Sequence, residues 1–221
     1  MTQRIVFNFD ENLDYQRKAI NAVVELFKGQ DRELGDIIYR GATRHIKRFD
    51  EKDPVRNRLD IGPSIILNNM REVQNNNMLF PSNSFDSGYN FTVEMETGTG
   101  KTYVYLRTIL ELYEAYNFMK FIIVVPTVAI RKGVEKSIEM LKDHIKTLYH
   151  GLDISKHAFV YDSDKPGKLT DFVEARDLRI AIMNIQSFNK DTNKIRKEDE
   201  TGRVLWDLLK YVNPIVIIDE P

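Results

Sequence analysis

A lysine and a threonine, Lys101 and Thr102, close the stretch ETGTGKT, in which Gly98 and Gly100 alternate with Thr97 and Thr99. Glycine tolerates positive φ, and glycines spaced in this way let successive main-chain N–H groups turn toward one point. A helix starting directly behind the loop adds its positive dipole end. The grouping suits a polyphosphate. Lys101 supplies a point charge for β- and γ-phosphates, and the Thr102 hydroxyl suits Mg²⁺. Thr97, Gly98, Thr99, Gly100, Lys101 and Thr102 are therefore candidate nucleotide-binding residues, with ATP and Mg²⁺ as the expected cofactors.

A second stretch, IVIIDE, ends an apolar run in two carboxylates, Asp219 and Glu220. A phosphate-loop ATPase needs such a pair across the sheet from its lysine. Asp219 would hold Mg²⁺, usually through a water, and Glu220 would orient or deprotonate the attacking water. Lys101, Asp219 and Glu220 are the candidate catalytic residues, and Thr102 and Asp219 the candidate metal ligands. The longest form of the phosphate loop has a glycine five positions before Gly100, where this chain has Met95. That departure points to the shorter loop of helicase-like ATPases.

The elements that must position these groups follow from periodicity. FTVEM, residues 91–95, reads as a strand running into the loop, and KTYVYLRTILELYEAY as the helix leaving it, with Tyr103, Leu106, Leu110 and Tyr113 in line. KFIIVVP is apolar without alternation, as a strand buried on both faces should be. TVAIRKGVEKSIEMLKDHIKTL repeats Ile130, Val134, Ile138, Leu141, Ile145 and Leu148 at helical spacing. HAFVY and LRIAIMN read as strands, GRVLWDLLKYV as a helix and PIVIID as a last strand. Strands separated by helices predict an α/β fold, a parallel sheet with helices packed on both sides.

Upstream, LDYQRKAINAVVELFKG carries Tyr15, Ala19, Val23 and Leu26 on one helical face, with Asn12 or Asp14 as cap and Gly29 as stop. Residues 31–60 are dense in charge and weak in period, and predict a surface insert or short helices. PSIILNNMREVQ recovers helical spacing, and NNNMLFPSNSFDSGYN reads as a loop.

Composition bounds the rest. Among 221 residues, 32 are basic and 33 acidic, so nucleic-acid binding would need a local patch rather than overall charge. There are no cysteines, which excludes disulfides and thiolate metal sites and fits a reducing compartment. The four histidines are scattered without ligand spacing. No apolar run is long enough to cross a bilayer, and the N-terminus lacks a signal-peptide layout. The expected location is cytoplasmic, with no membrane partner.

METGTGKTYVYLRTI, KFIIVVPTVAIRKGV and IIDEP together resemble the restriction (Res) subunit of type III restriction-modification enzymes, members of the superfamily 2 helicases and translocases. The resemblance implies a three-layer, RecA-like P-loop NTPase lobe. It implies that Gln16, in DYQRKA, reads the adenine edge, since an amide offers a donor and an acceptor together. Thr127, with Arg131 or Lys132, matches a motif that touches the nucleic-acid backbone, and Gln186, in NIQSFN, falls in a further block of that kind. The family typically continues Asp-Glu-Pro with a histidine. Where it often has threonine, this chain has Asn184.

On that resemblance, residues 1–90 hold the adenine-reading helix and the charged insert, packed on the core. Residues 91–221 form the ATP-binding core, cut at the acidic strand by truncation or a broken reading frame. The expected activity is that of an ATP-dependent DNA translocase and restriction endonuclease subunit, with the fragment inactive alone. Its partners would be double-stranded DNA and the modification methyltransferase. Two alternatives stand beside it: another superfamily 2 DNA or RNA helicase lobe, and a non-catalytic binding module that keeps the fold.

Overall fold

The structure, a computed structural model, describes residues 10–32, 56–85, 88–162, 167–188, 195 and 204–220. In chain order its elements are α1 (Asp14–Glu25), α2 (Pro63–Asn76), α3 (Lys101–Tyr116), β1 (Lys120–Val125), α4 (Val128–Leu148), the single turn α5 (Ile154–His157), β2 (Ala158–Val160), α6 (Gly167–Glu174), β3 (Arg179–Asn184), α7 (Leu205–Val212) and β4 (Ile215–Ile218). Most of the charged insert, and Asn189 and Pro221, lie outside the described residues.

The four strands form one parallel sheet in the order β2-β3-β1-β4. All six residues of β1 are buried, which explains its apolar run without alternation. Phe121 pairs with Ile180 and Ile215, and the register runs on to Val124 beside Met183 and Ile218. Side chains alternate between two cores. Phe121, Ile123, Val125, Ile180 and Ile182 pack with α3 and α4 on one face. Ile122, Val124, Ala181 and Met183 pack with α6 and α7 on the other. The result is the three-layer α/β architecture that the periodicity predicts.

Among the described residues β4 forms an edge of this sheet. Ile215 and Ile217 join the first core, whereas Val216 and Ile218 stay half-exposed. The expected strand at residues 91–95 is not formed, and residues 91–96 belong to no sheet among the described residues. β-branched and aromatic residues suit a pleated surface, but a strand also needs a neighbouring backbone to bond with, and this segment lies largely exposed.

α4 begins as expected at Thr127, whose hydroxyl oxygen accepts from the Ile130 N–H. The start of α1 differs from expectation. Leu13 stands at the cap position without a side-chain bond, and Asp14 lies inside the first turn, facing the positive helix end. The helix ends at Glu25, and Gly29 closes the turns that follow at φ +95°.

Buried amides tie the N-terminal helices to the sheet. Asn69 of α2 donates to the carbonyls of Leu26 and Lys28 at the exit of α1. Asn57 holds the start of β1: its oxygen accepts from Met119 and Lys120 N–H, and its nitrogen donates to the Lys120 carbonyl. Its backbone N–H donates to Val212 at the end of α7, and its own carbonyl accepts from Asn213.

Lys120, the first residue of β1, is fully buried. Its ammonium donates to the Phe172 carbonyl at 2.7 Å and to the Ala175 carbonyl, capping the C-terminal end of α6 beside the Phe172 ring. Burial lowers its pKa to about 8.

Candidate functional site

The loop between residues 96 and 101 is shaped by two glycines in the left-handed region, Gly98 at φ +82° and Gly100 at φ +86°. Thr99 folds back onto the Glu96 carbonyl through both its N–H and its hydroxyl. α3 then starts at Lys101 with Gly100 as its cap residue and no side-chain cap bond. Its first N–H groups are thus open to an outside acceptor. Space is left on one side of the loop and denied on the other. A Cβ on Gly98 would meet nothing within 4 Å, whereas one on Gly100 would sit 2.7 Å from the Gln16 side-chain nitrogen.

Gln16 is buried against this loop, and its Nε2 donates to the Thr99 carbonyl at 2.9 Å. Residues 83 positions apart are thereby joined, and the amide braces the loop from beneath. Half-exposed Tyr15 lies beside it, its hydroxyl 3.5 Å from the same nitrogen.

The acidic pair stands at the carboxyl end of the sheet, where open α/β sheets place their ligands. The Asp219 N–H continues the ladder by donating to Val124 at 2.9 Å. The Asp219 Oδ2 accepts from the Tyr105 phenol at 3.3 Å. Burial raises the Asp219 carboxyl above its ordinary pKa. The Tyr105 hydrogen bond opposes that rise, the neighbouring Glu220 adds to it and Lys101 opposes it. Glu220 takes φ +56°, a conformation uncommon for a non-glycine residue. Its carboxylate lies 3.7 Å from the Lys101 ammonium.

A cleft of about 390 Å³ opens between this loop and α4, lined by Thr97, Gly98, Lys101, Thr102, Met140 and Glu220 among others. Lys101, Thr102, Asp219 and Glu220, far apart in sequence, thus meet at one end of the sheet. The donor set of a hydroxyl and carboxylates is hard oxygen, which fits Mg²⁺. Among the described residues no three or more His, Cys, Asp or Glu side chains form a metal cage. Magnesium commonly relies on waters and ligand phosphates to complete its shell, so such a sparse protein contribution fits it.

Thr127 and Gln186 share the rim above β1 and β3. The Gln186 Nε2 donates to the Pro126 carbonyl at 3.1 Å, next to Thr127. Arg131 lies on the first turn of α4; its Nε is buried without a hydrogen-bond partner and sits 3.8 Å from the Glu135 carboxylate. Lys132 is exposed.

Sequence reasoning missed Tyr105. The signal was there: it stands four residues after Lys101 and three after Thr102, on the same helical face. Tyrosine at such a position in an apolar helix reads as core filling, and only the tertiary contact reveals the phenol at Asp219.

Residues 10–221 match the family described as "Type III restriction enzyme, res subunit". The chain is 30% identical over 244 aligned residues to the Res subunit of the EcoPI type III restriction-modification enzyme of Escherichia phage P1, covering 97% of this chain and 23% of that protein. It is equally similar to the EcoP15I Res subunit of Escherichia coli, over the same shares of each chain. To the StyLTI Res subunit of Salmonella typhimurium it is 34% identical over 158 residues, 62% of this chain and 16% of that one. The chain thus spans less than a quarter of the length of these relatives.

Proposed function

Because the chain belongs to the type III restriction enzyme Res-subunit family, we propose that it is the ATP-binding motor lobe of an ATP-dependent DNA translocase and endonuclease subunit. One observation carries this reading: the glycine-shaped loop leads into α3 while Lys101 and Glu220, 3.7 Å apart, close the same corner of the sheet.

In this reading the loop N–H groups and the first turn of α3 bind the triphosphate tail, and Lys101 neutralises its terminal charges. Thr102 and Asp219 would hold magnesium. When bound, that ion supplies positive charge against the phosphate oxygens. Glu220 holds the attacking water and takes its proton. The Lys101–Glu220 pair then has a simple meaning. A phosphate entering the cleft draws the ammonium to itself and frees the carboxylate to engage water. Both partners are substantially exposed, so releasing the pair costs little. Gln16 would serve the adenine edge from the position in which it braces the loop.

Residues 1–90 then supply the adenine-reading helix and 91–221 the catalytic core. Thr127, Arg131 and Gln186 form a rim for a nucleic-acid backbone, contacts that position a duplex without reading its sequence. The relatives are named as subunits of restriction-modification enzymes. Double-stranded DNA and a modification methyltransferase are accordingly the partners we assign to the whole subunit, working in the cytoplasm. Among the described residues no helix is long and apolar enough to cross a membrane.

Calorimetric titration of Mg-ATP into the wild-type chain and into Lys101→Ala tests the proposal. Binding by the wild type that Lys101→Ala weakens strongly is the expected result. Absence of binding at millimolar nucleotide, or binding indifferent to Lys101→Ala, would overturn it.

A further inference from the structure

Tyr105 lies one turn beyond Lys101 on α3 and is 9% exposed. Its phenol donates to Asp219 Oδ2 at 3.3 Å, across 114 residues of sequence. A buried side chain of the loop helix therefore reaches the carboxylate assigned to magnesium at the end of β4.

Asp219 needs such a partner. Among the described residues its backbone is held on one side, by the N–H bond to Val124, and β4 is the last strand in the sheet order. A carboxylate has two oxygens and about four acceptor positions. A phenol on one oxygen fixes the rotation of the group and leaves the other oxygen for a hydrated cation. Groups that orient a metal ligand in this way set its affinity without touching the metal.

We propose that Tyr105 is a positioning residue for magnesium, locking the Asp219 carboxylate into a preformed orientation. The inference rests on the reading of this corner as a nucleotide site. It assigns a role that the loop and acidic motifs do not contain. Tyr105 acts through Asp219, so its removal affects the metal-dependent part of nucleotide binding and spares the metal-independent part.

The test measures ATP affinity with magnesium and with EDTA, by calorimetry on the whole chain, for the wild type, Tyr105→Phe, Asp219→Asn and the double variant. Tyr105→Phe should leave affinity in EDTA within about twofold and cut the magnesium-dependent gain roughly tenfold, the scale of one hydrogen bond to a charged group. In the Asp219→Asn background, Tyr105→Phe should add nothing. An unchanged magnesium-dependent gain, or an equal loss with and without magnesium, overturns the proposal. So does a Tyr105→Phe chain that fails to fold, since the hydroxyl is then structural. A wild-type chain without Lys101-dependent ATP binding sinks the nucleotide reading itself, whereas Lys101-dependent binding with the same magnesium gain in both proteins sinks the Tyr105 role alone.

Discussion

The Lys101 ammonium lies 3.7 Å from the Glu220 carboxylate, so the proposed phosphate-binding cation is held by the proposed base. Each group occupies the other until a phosphate intervenes. Glu220→Gln removes the competing charge and should leave Mg-ATP affinity of the chain equal to wild type, or up to about threefold tighter, given the small energy of an exposed pair. In the intact subunit the same change should lower ATP hydrolysis by roughly a hundredfold or more. Calorimetry and a phosphate-release assay check the two halves.

Gly100 combines φ +86° with the Gln16 nitrogen at the place of a Cβ. Gly100→Ala should destabilise the chain by about 1–2 kcal/mol from the backbone alone, with the collision in addition. Adding Gln16→Ala should recover the collision and leave the backbone part. Urea unfolding of the single and double variants separates the two, and full recovery by Gln16→Ala would contradict the backbone assignment.

Lys120 should make stability depend on pH in the alkaline range. Its folded pKa is about 8, below the ordinary lysine value of 10.5. Between these values the unfolded chain binds a proton that the folded chain has released. Stability from this group therefore rises from about pH 8 to 10.5, and is lost as pH falls through 8. Lys120→Met removes that dependence and leaves the Phe172 and Ala175 carbonyls bare, at a cost of about 1–3 kcal/mol near neutrality. Melting curves of both proteins across this range should diverge as pH rises, and parallel curves would contradict the lowered pKa.

The rim residues should divide by charge. Thr127→Ala loses the cap of α4 and about 1 kcal/mol of stability, which Thr127→Ser keeps. In the intact subunit, Arg131→Ala should reduce the salt dependence of DNA binding by about one counterion, whereas Gln186→Ala should weaken binding with the slope unchanged. Binding measured at several salt concentrations distinguishes them.

What could be read from residues alone followed local physics. α4 was legible because Val134, Ile138, Leu141 and Ile145 repeat at the helical period and are the residues that become buried. β1 was legible because the apolar run from Phe121 to Val125, without alternation, must be buried on both faces. Gly98 and Gly100 were legible because a turn of this kind needs positive φ. The losses were tertiary. FTVEM has strand composition, yet pairing depends on a neighbouring backbone. The burial of Lys120 was not legible, because only the carbonyl end of α6, more than 50 residues on, explains it. Nothing local ties Tyr105 to Asp219, which lies 114 residues away.

Asn57 clasps both the first residue of β1 and the turn after α7, a bond to Asn213 that closes a loop of 156 residues. The chain must therefore bring together partners 156 residues apart before this corner of the sheet is held. Entropy of that kind is met before the contacts reward it, which slows folding. Refolding should be a slow, concerted process, and trimming the N-terminus past Asn57 should unravel the sheet instead of shortening the protein.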